Sequence, residues 1–265
     1  MIDPITSVSN PRIKQLRSLL ANRKDRRRER LFVIEGVRLV AEALQSGARP
    51  VSVVYDPDHL EQSERGRAVL DQVQDLRGAY VAAPEVIAAV SDTVTPQGIV
   101  AAVGWPELEA RPSGIQLVLD AVQDPGNVGT LLRSAEAVGV SEVFCVSGTA
   151  DVYSPKVVRA AMGAHFRLPL RQDLSWDEAD TLLAASDHVY VAEMDGSMPY
   201  YAADWRQRST LIIGNEANGV TDEARARATK SIMIPMAPEV ESLNAAVAGS
   251  IILFEAARQR RLGRS

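Results

Sequence analysis

The 265-residue chain has one cysteine, Cys145. A lone thiol excludes an internal disulfide and a cysteine-rich metal site. Its setting, Glu142-Val143-Phe144-Cys145-Val146, reads as a buried strand. Histidine is scarce too, with three residues. His59, His165 and His188 lie far apart without ligand spacing, so no residue pattern points to a metal. No apolar run approaches the roughly 18 residues of a membrane span. The opening stretch MIDPITSVSNPRIKQLRSLL lacks the apolar core and the small-residue cleavage site of a secretory leader, so the expected location is cytoplasmic, with no membrane partner. Nucleotide signatures are missing too. Pro125-Gly126-Asn127-Val128-Gly129 matches neither GxGxxG nor a Walker loop with its lysine, which argues against a Rossmann dinucleotide site.

What is present is a chain with 46% hydrophobic residues, enough for a sizeable core in one large domain or two small ones. The net charge of −5 hides strong local clustering. Between Asn10 and Arg30 stand Arg12, Lys14, Arg17, Arg23, Lys24, Arg26, Arg27, Arg28 and Arg30, opposed by Asp25 and Glu29 alone. The chain closes on Arg258, Arg260, Arg261 and Arg264. Such clusters set a phosphate-binding footprint that a whole-chain sum conceals. A solvated helix face with a basic tail would look the same.

Periodicity predicts a helix over 10–22, with Pro11 early and Ile13, Leu16, Leu19 and Leu20 at helical spacing. The charged run to Arg30 reads as an exposed extension or turn. Strands and helices then alternate to Val103, giving a compact α/β unit. The stretch Gly104-Trp105-Pro106 to Arg111-Pro112-Ser113-Gly114 reads as a linker, dividing the chain into domains 1–106 and 107–265. The second half alternates again, with a strand expected at Phe166–Leu170 and a last helix from about Leu243 to Arg260. Consecutive βα units predict a mostly parallel sheet, which binds ligands in loops at the carboxyl ends of its strands.

Polar loops stand out at those ends. One is Asp124 to Gly129 with Arg133 beyond it; the next is Gly214-Asn215-Glu216-Ala217-Asn218-Gly219; the last is Pro235 to Asn244, between a short strand and a helix of small residues, Ala245, Ala246, Ala248 and Gly249. DPGNVGTLLRSAEAVG, LIIGNEANGV and IPMAPEVESLNAAVAGSIILFE resemble, in order and spacing, the motifs of the SpoU/TrmH family of RNA ribose 2′-O-methyltransferases, within the SPOUT superfamily. The first half resembles, less sharply, the L30e-like substrate-binding domain that precedes the catalytic domain in relatives that modify rRNA. Ala217 departs from the glycine of many members and slightly restricts its loop.

The resemblance implies an α/β fold: a parallel sheet whose last segment forms a deep trefoil knot, behind a smaller L30e-like domain. It implies a homodimer through the catalytic domain and methyl transfer from S-adenosylmethionine to a ribose 2′-hydroxyl. The implied catalytic set is Asn127, Arg133, Glu216, Ser242 and Asn244, and the implied donor contacts are Met194, Gly214, Ile234, Met236 and Leu243. A guanidinium ordinarily keeps its proton to above about pH 12, so using one as a base near pH 7 costs roughly 7 kcal/mol. Arg133 is therefore read first as a bidentate binder of phosphate and developing oxyanion, with Asn127 orienting Arg133 or the ribose and Glu216 holding Arg133 or Asn127 in place. The expected partner is RNA, rRNA before tRNA, along Arg12, Lys14, Arg23, Lys24, Arg26, Arg27 and Arg28, with Lys156 and Arg159 near the active site. A resistance methyltransferase and a non-catalytic ribosome-assembly protein remain the alternatives.

Overall fold

The structure, a computed structural model, describes residues 4–111 and 114–263. Pro112 and Ser113 of the expected linker lie outside the described residues, as does Arg264 of the carboxy-terminal basic group. The chain forms two compact units. The first runs to Pro106 and also takes in Tyr153–Phe166; the second comprises Glu107–Val152 and the chain from Arg167 onward. A simple division at residue 106 thus misplaces Tyr153–Phe166.

In the first unit, α1 (Pro11–Ala21) starts where the Asn10 side chain accepts the Arg12 N–H at 3.0 Å. The i, i+3 spacing of Ile13, Leu16 and Leu19 lays one fully buried stripe against the core. The charged run that follows is a second helix, α2 (Arg23–Glu29), rather than an exposed turn. Arg26, expected on the RNA face, is buried at 4% exposure, its guanidinium donating to the Leu19 and Leu20 carbonyls at the end of α1. These carbonyls have no helical partner, so a buried cation satisfies them.

The unit continues through β1 (Leu31–Glu35), α3 (Val37–Gln45), β2 (Pro50–Tyr55), α4 (Pro57–Leu60), α5 (Glu64–Val73), β3 (Ala79–Val81), α6 (Pro84–Ala88) and β4 (Ile99–Gly104). The sheet order is β1-β4-β2-β3. β4 runs antiparallel to both neighbours, and β2 and β3 are parallel. The outlying segment joins through aromatic packing. Phe32, fully buried, has ring centroids 5.0 Å from Tyr153, 5.7 Å from His165 and 5.9 Å from Phe166.

The second unit carries β5 (Ile115–Leu119), α7 (Pro125–Val138), β6 (Glu142–Val146), β7 (Leu170–Leu174), α9 (Trp176–Leu183), β8 (His188–Ala192), β9 (Met198–Pro199), β10 (Ser209–Ile213), α10 (Asp222–Arg227), β11 (Lys230–Met233) and α11 (Ala245–Leu262). The remaining helix, α8 (Pro155–Ala161), belongs to the first unit. The seven strands form one parallel sheet in the order β7-β6-β5-β10-β8-β11-β9. The strand expected at Phe166–Leu170 begins at Leu170, because Phe166 is committed to the aromatic cluster within a 3-10 turn, Ala164–Phe166.

The apolar strand residues Val118, Phe144, Val191 and Ile212 gather in one core with Ala179 and Leu183 of α9 and Ala224 of α10. Each large side chain buried there contributes about 1.5–3 kcal/mol. α11 packs on α7 at close quarters, since a Cβ on Gly249 would lie 2.5 Å from Leu131 Cδ2. Among the described residues no helix is long and apolar enough to cross a membrane.

Candidate active site

β5, β10, β8 and β11 are successive neighbours in a parallel sheet, so their carboxyl ends share one end of it. The loops that leave them meet there. The loop after β10 is tied to the loop after β5 twice. Asp120, fully buried, accepts the Thr221 N–H at 2.6 Å through Oδ2, and Asn215 donates from Nδ2 to the Ala121 carbonyl at 2.9 Å. Burial pushes the Asp120 carboxyl above the usual carboxylate range, against the hydrogen bonds from Thr221 that lower it.

Asn215 also folds its own loop, its Oδ1 accepting the N–H groups of Ala217 at 2.9 Å and Asn218 at 3.0 Å. Its backbone pairs with Gly219 in both directions, at 2.8 and 2.9 Å. The return is so tight that a Cβ on Gly214 would stand 2.3 Å from the Gly219 carbonyl carbon. Ala217 is not among the residues with positive φ, so its methyl group sits in an ordinary backbone conformation.

A side-chain chain then joins three loops. Asp124 caps α7 by accepting the Asn127 N–H at 2.8 Å. Asn127, 9% exposed, donates from Nδ2 to Glu216 Oε1 at 2.9 Å and accepts from Asn244 Nδ2 at 2.8 Å. Glu216 also accepts the N–H groups of Gln123 and Asp124, each at 3.1 Å. Burial raises the Glu216 carboxyl, but the Asn127 amide and these backbone donors outweigh it and hold the group below the usual range. Asn244 in turn caps α11, its Oδ1 accepting from Ala246 at 2.9 Å and Val247 at 3.2 Å. That cap is why the last helix starts at Ala245, two residues after the expected Leu243.

Beside this network lies a cavity of about 430 Å³, within the usual ligand-pocket range of about 300–1,000 Å³. Met194, Gly214, Ile234, Met236 and Leu243 all line it, together with Glu216 and Ser242. Its walls are largely apolar side chains and glycine backbone, closed on one side by the Glu193–Arg225 ion pair at 2.7 Å. Such a wall suits a heterocycle with a few polar attachments. Asn127 and Asn244 do not line the cavity but meet it through Glu216.

Arg133 is exposed on α7, and its side chain makes no hydrogen bond or ion pair among the described residues. Neither Glu216 nor Asn127 holds it, contrary to one of the expected arrangements: Glu216 is engaged by Asn127. Of the expected RNA contacts, Arg12, Lys14, Lys24, Arg27 and Arg28 are exposed and Arg23 is partly buried. Arg12 lies over the Tyr80 ring at 4.0 Å, and Arg28 pairs with Asp25 at 2.6 Å. Lys156 and Arg159 stand on α8 in the first unit, where Arg159 pairs with Asp92 at 2.6 Å.

The sequence reading missed Asp120 and Asn215 as loop anchors and Glu193–Arg225 as a cavity wall. Asn215 lies between two residues already singled out. Asp120 carried a signal as a lone acid ending the apolar run Leu117-Val118-Leu119. Glu193–Arg225 had none, since its partners come from different elements.

Comparison with known proteins agrees with this geometry. Residues 114–254 match the model of the SpoU rRNA Methylase family, and residues 10–101 match that of the MRM3-like substrate binding domain. The chain is 32% identical over 250 residues to a 23S rRNA (guanosine(2553)-2′-O)-methyltransferase of Bacillus subtilis, covering 94% of this chain and 97% of that protein. It is also 32% identical to a 23S rRNA (uridine(2479)-2′-O)-methyltransferase of Streptomyces viridochromogenes, covering 97% and 92%. Among solved structures, the SpoU methyltransferase AviRb of Streptomyces viridochromogenes with AdoMet superposes with a TM-score of 0.86 at 31% identity, covering 95% of this chain and 98% of that one. An AdoMet-bound rRNA methyltransferase of Sinorhizobium meliloti gives 0.82 at 32% identity, covering 97% of each.

Proposed function

The chain belongs to the SpoU rRNA methylase family, and from that premise we propose that it methylates a ribose 2′-hydroxyl of ribosomal RNA with S-adenosylmethionine. One observation carries the reading: Asn127, Glu216 and Asn244 form a continuous hydrogen-bonded chain that joins three loops beside a cavity lined by Met194, Gly214, Ile234, Met236 and Leu243. These five residues fit the adenosine and methylene parts of the donor, and Gly214 permits the tight loop return on which the wall depends. When bound, the donor would supply an electrophilic methyl group from its sulfonium and leave as a neutral thioether, the ribose hydroxyl proton passing to water.

The remaining work falls to this chain's own residues. Asn127, Glu216 and Asn244 fix the three loops relative to one another, and pre-set geometry of this kind lowers the barrier to transfer. Ser242 lines the acceptor side. Arg133, with its guanidinium unengaged among the described residues, binds the phosphate beside the target ribose and stabilises charge developing on the oxygen.

Finer features belong to the same proposal. A deep trefoil knot is supported by the late strands β10, β8 and β11 lying inside the sheet, with α11 pressed onto α7 through Gly249. An L30e-like character for the first unit is compatible with its mixed four-stranded sheet. A homodimer through the catalytic unit is supported by the exposed Val247 and Phe254, two turns apart on α11. The division of labour between an RNA-binding residue range 1–106 and a catalytic range 107–265 rests on the same resemblance, with Tyr153–Phe166 reassigned.

The test is methyl transfer by the purified protein to rRNA transcripts, with the modified position mapped, and calorimetric titration with S-adenosylmethionine. Binding together with a single 2′-O-methyl site is expected. A protein that does not bind the donor, with or without RNA, would be a non-catalytic RNA binder.

A further inference from the structure

A second cavity, of about 190 Å³, opens within the first unit. Its apolar floor comes from four elements: Leu20 of α1, Val33 of β1, Leu39 of α3 and Val158 of α8. One wall is the loop that follows α6. Glu35 at the end of β1 holds that loop, accepting the Asp92 N–H at 2.8 Å and the hydroxyls of Ser91 and Thr93. Gln97 closes the rim. Its Oε1 accepts the Val37 N–H at 3.2 Å, so its Nε2 group stands with two protons and no partner among the described residues. The approach is close enough that a Cβ on Gly36, at φ +93°, would lie 2.7 Å from that Oε1.

Two half-exposed guanidinium groups flank the opening. Arg38 uses Nε on Glu42 at 3.3 Å, and Arg159 uses Nη1 on Asp92 at 2.6 Å. Leu20 also links the floor to the basic helices, since α1 carries Arg12, Lys14 and Arg17 and α2 carries Lys24 and Arg27, all exposed. An apolar slot, an amide donor at the rim and two guanidinium groups, each paired with a carboxylate, occur together.

We infer that this cavity takes one unstacked nucleobase of the RNA substrate, with its flanking phosphates on Arg38 and Arg159 and along α1 and α2; this rests on the reading of the chain as an RNA methyltransferase. Sequence-selective RNA binders draw single bases out of the stack into apolar slots and read their edges by hydrogen bonds. Glu35, Glu42 and Asp92 also line the cavity but are engaged by the Ser91 and Thr93 hydroxyls, Arg38 and Arg159, so the amide donor left at the rim is Gln97 Nε2, and the edge it reads carries a carbonyl-oxygen or ring-nitrogen acceptor. A base seated in this way fixes the register of the RNA on the first unit.

The experiment compares binding of fluorescently labelled oligouridylate with an abasic ribose-phosphate oligomer of the same length, using the full-length protein. The wild type should bind the base-bearing oligomer about fivefold more tightly or better, the range that base contacts reach in single-strand binders. Gln97→Ala, which removes the rim donor, and Val158→Phe, which fills the floor, should each reduce the ratio to below about twofold. Both should leave S-adenosylmethionine affinity unchanged. If Val158→Phe melts early, Gln97→Ala alone decides. Equal wild-type affinity for the two oligomers, or a ratio that survives Gln97→Ala, overturns the base slot. A wild type with no preference that still binds the donor and methylates rRNA removes only the slot, whereas one that cannot bind the donor removes the enzymatic reading.

Discussion

Replacing Asn127 with aspartate should damage this protein more than replacing it with alanine, because of what the side chain faces. Alanine deletes the bonds to Glu216 and Asn244. Glu216 keeps the Gln123 and Asp124 N–H groups and is exposed enough for water to take the vacant place. The loss is about 1–2 kcal/mol. Aspartate sets a second anion 2.9 Å from Glu216 Oε1, where unit charges repel by about 1.4 kcal/mol in bulk water and about 6 kcal/mol at an effective dielectric of about 20. Solvent at Glu216 draws the figure toward the lower end, roughly 2 kcal/mol beyond alanine. At roughly 2–4 °C per kcal/mol, alanine should lower the melting point by roughly 3–6 °C and aspartate by about twice that near pH 8.

The two proteins should also differ in sign with pH. In Asn127→Asp one carboxyl of the pair is raised, so the folded chain holds a proton that the unfolded chain has released, and stability rises as pH falls from 8 toward about 5. The wild-type Glu216 carboxyl is held low. Its contribution is complete above the unfolded value near about 4.3 and is lost as pH falls through the lower folded value. Scanning calorimetry from pH 8 down to about pH 3 reads both trends, the aspartate variant's above pH 5 and the wild type's below about 4.3. An aspartate variant that melts with or above the alanine variant at pH 8, or a gap that does not close at pH 5, would refute the coupling.

Other substitutions separate the remaining roles. Arg133→Lys should keep donor affinity and lose at least about tenfold in turnover, since an ammonium cannot reproduce the guanidinium fork; near-normal single-turnover rates would remove the bidentate role. Gly214→Ala should weaken S-adenosylmethionine binding by about tenfold or more, because its methyl group meets Gly219 backbone at 2.3 Å; unchanged calorimetric affinity would show that the loop has slack. Arg26→Ala should cost about 2 kcal/mol in denaturant unfolding, having stripped a buried charged donor from two carbonyls, whereas Arg27→Ala should leave stability within about 0.5 kcal/mol and weaken RNA binding. Equal unfolding curves for these two variants would contradict the assignment of Arg26 to the fold.

Much of the architecture could be read from pattern. Apolar runs closed by Gly or Asp marked the strands and Gly139 marked the end of α7, whereas residues 125–129, read as a polar loop, are the start of that helix, set by the Asp124 cap. α2 escaped because it has no apolar stripe. It is held by the Asp25–Arg28 pair and by Arg26 reaching back to α1, both invisible to periodicity. β7, Leu-Arg-Gln-Asp-Leu, is a polar edge strand whose start depends on where Phe166 is anchored. At the site, the polar loops were evident from sequence, but the bond that Glu216 makes was not. Two residues of chain could each have claimed that carboxylate, and only the fold brings Asn127 to it. The anchors Asp120 and Asn215 likewise act on backbone groups about a hundred positions away, at Thr221 and Ala121.

The membership of Tyr153–Phe166 in the first unit has a practical corollary. Polypeptide passes between the two bodies at 106/107, 152/153 and 166/167, so neither is a contiguous module. A fragment ended at Pro106 would leave Phe32 and Trp105 stripped of Tyr153 and prone to aggregate. Proteolytic nicking at the linker, by contrast, should yield two pieces that migrate together under native conditions and part only in detergent, because the later piece still carries the aromatic plug that seals the earlier one.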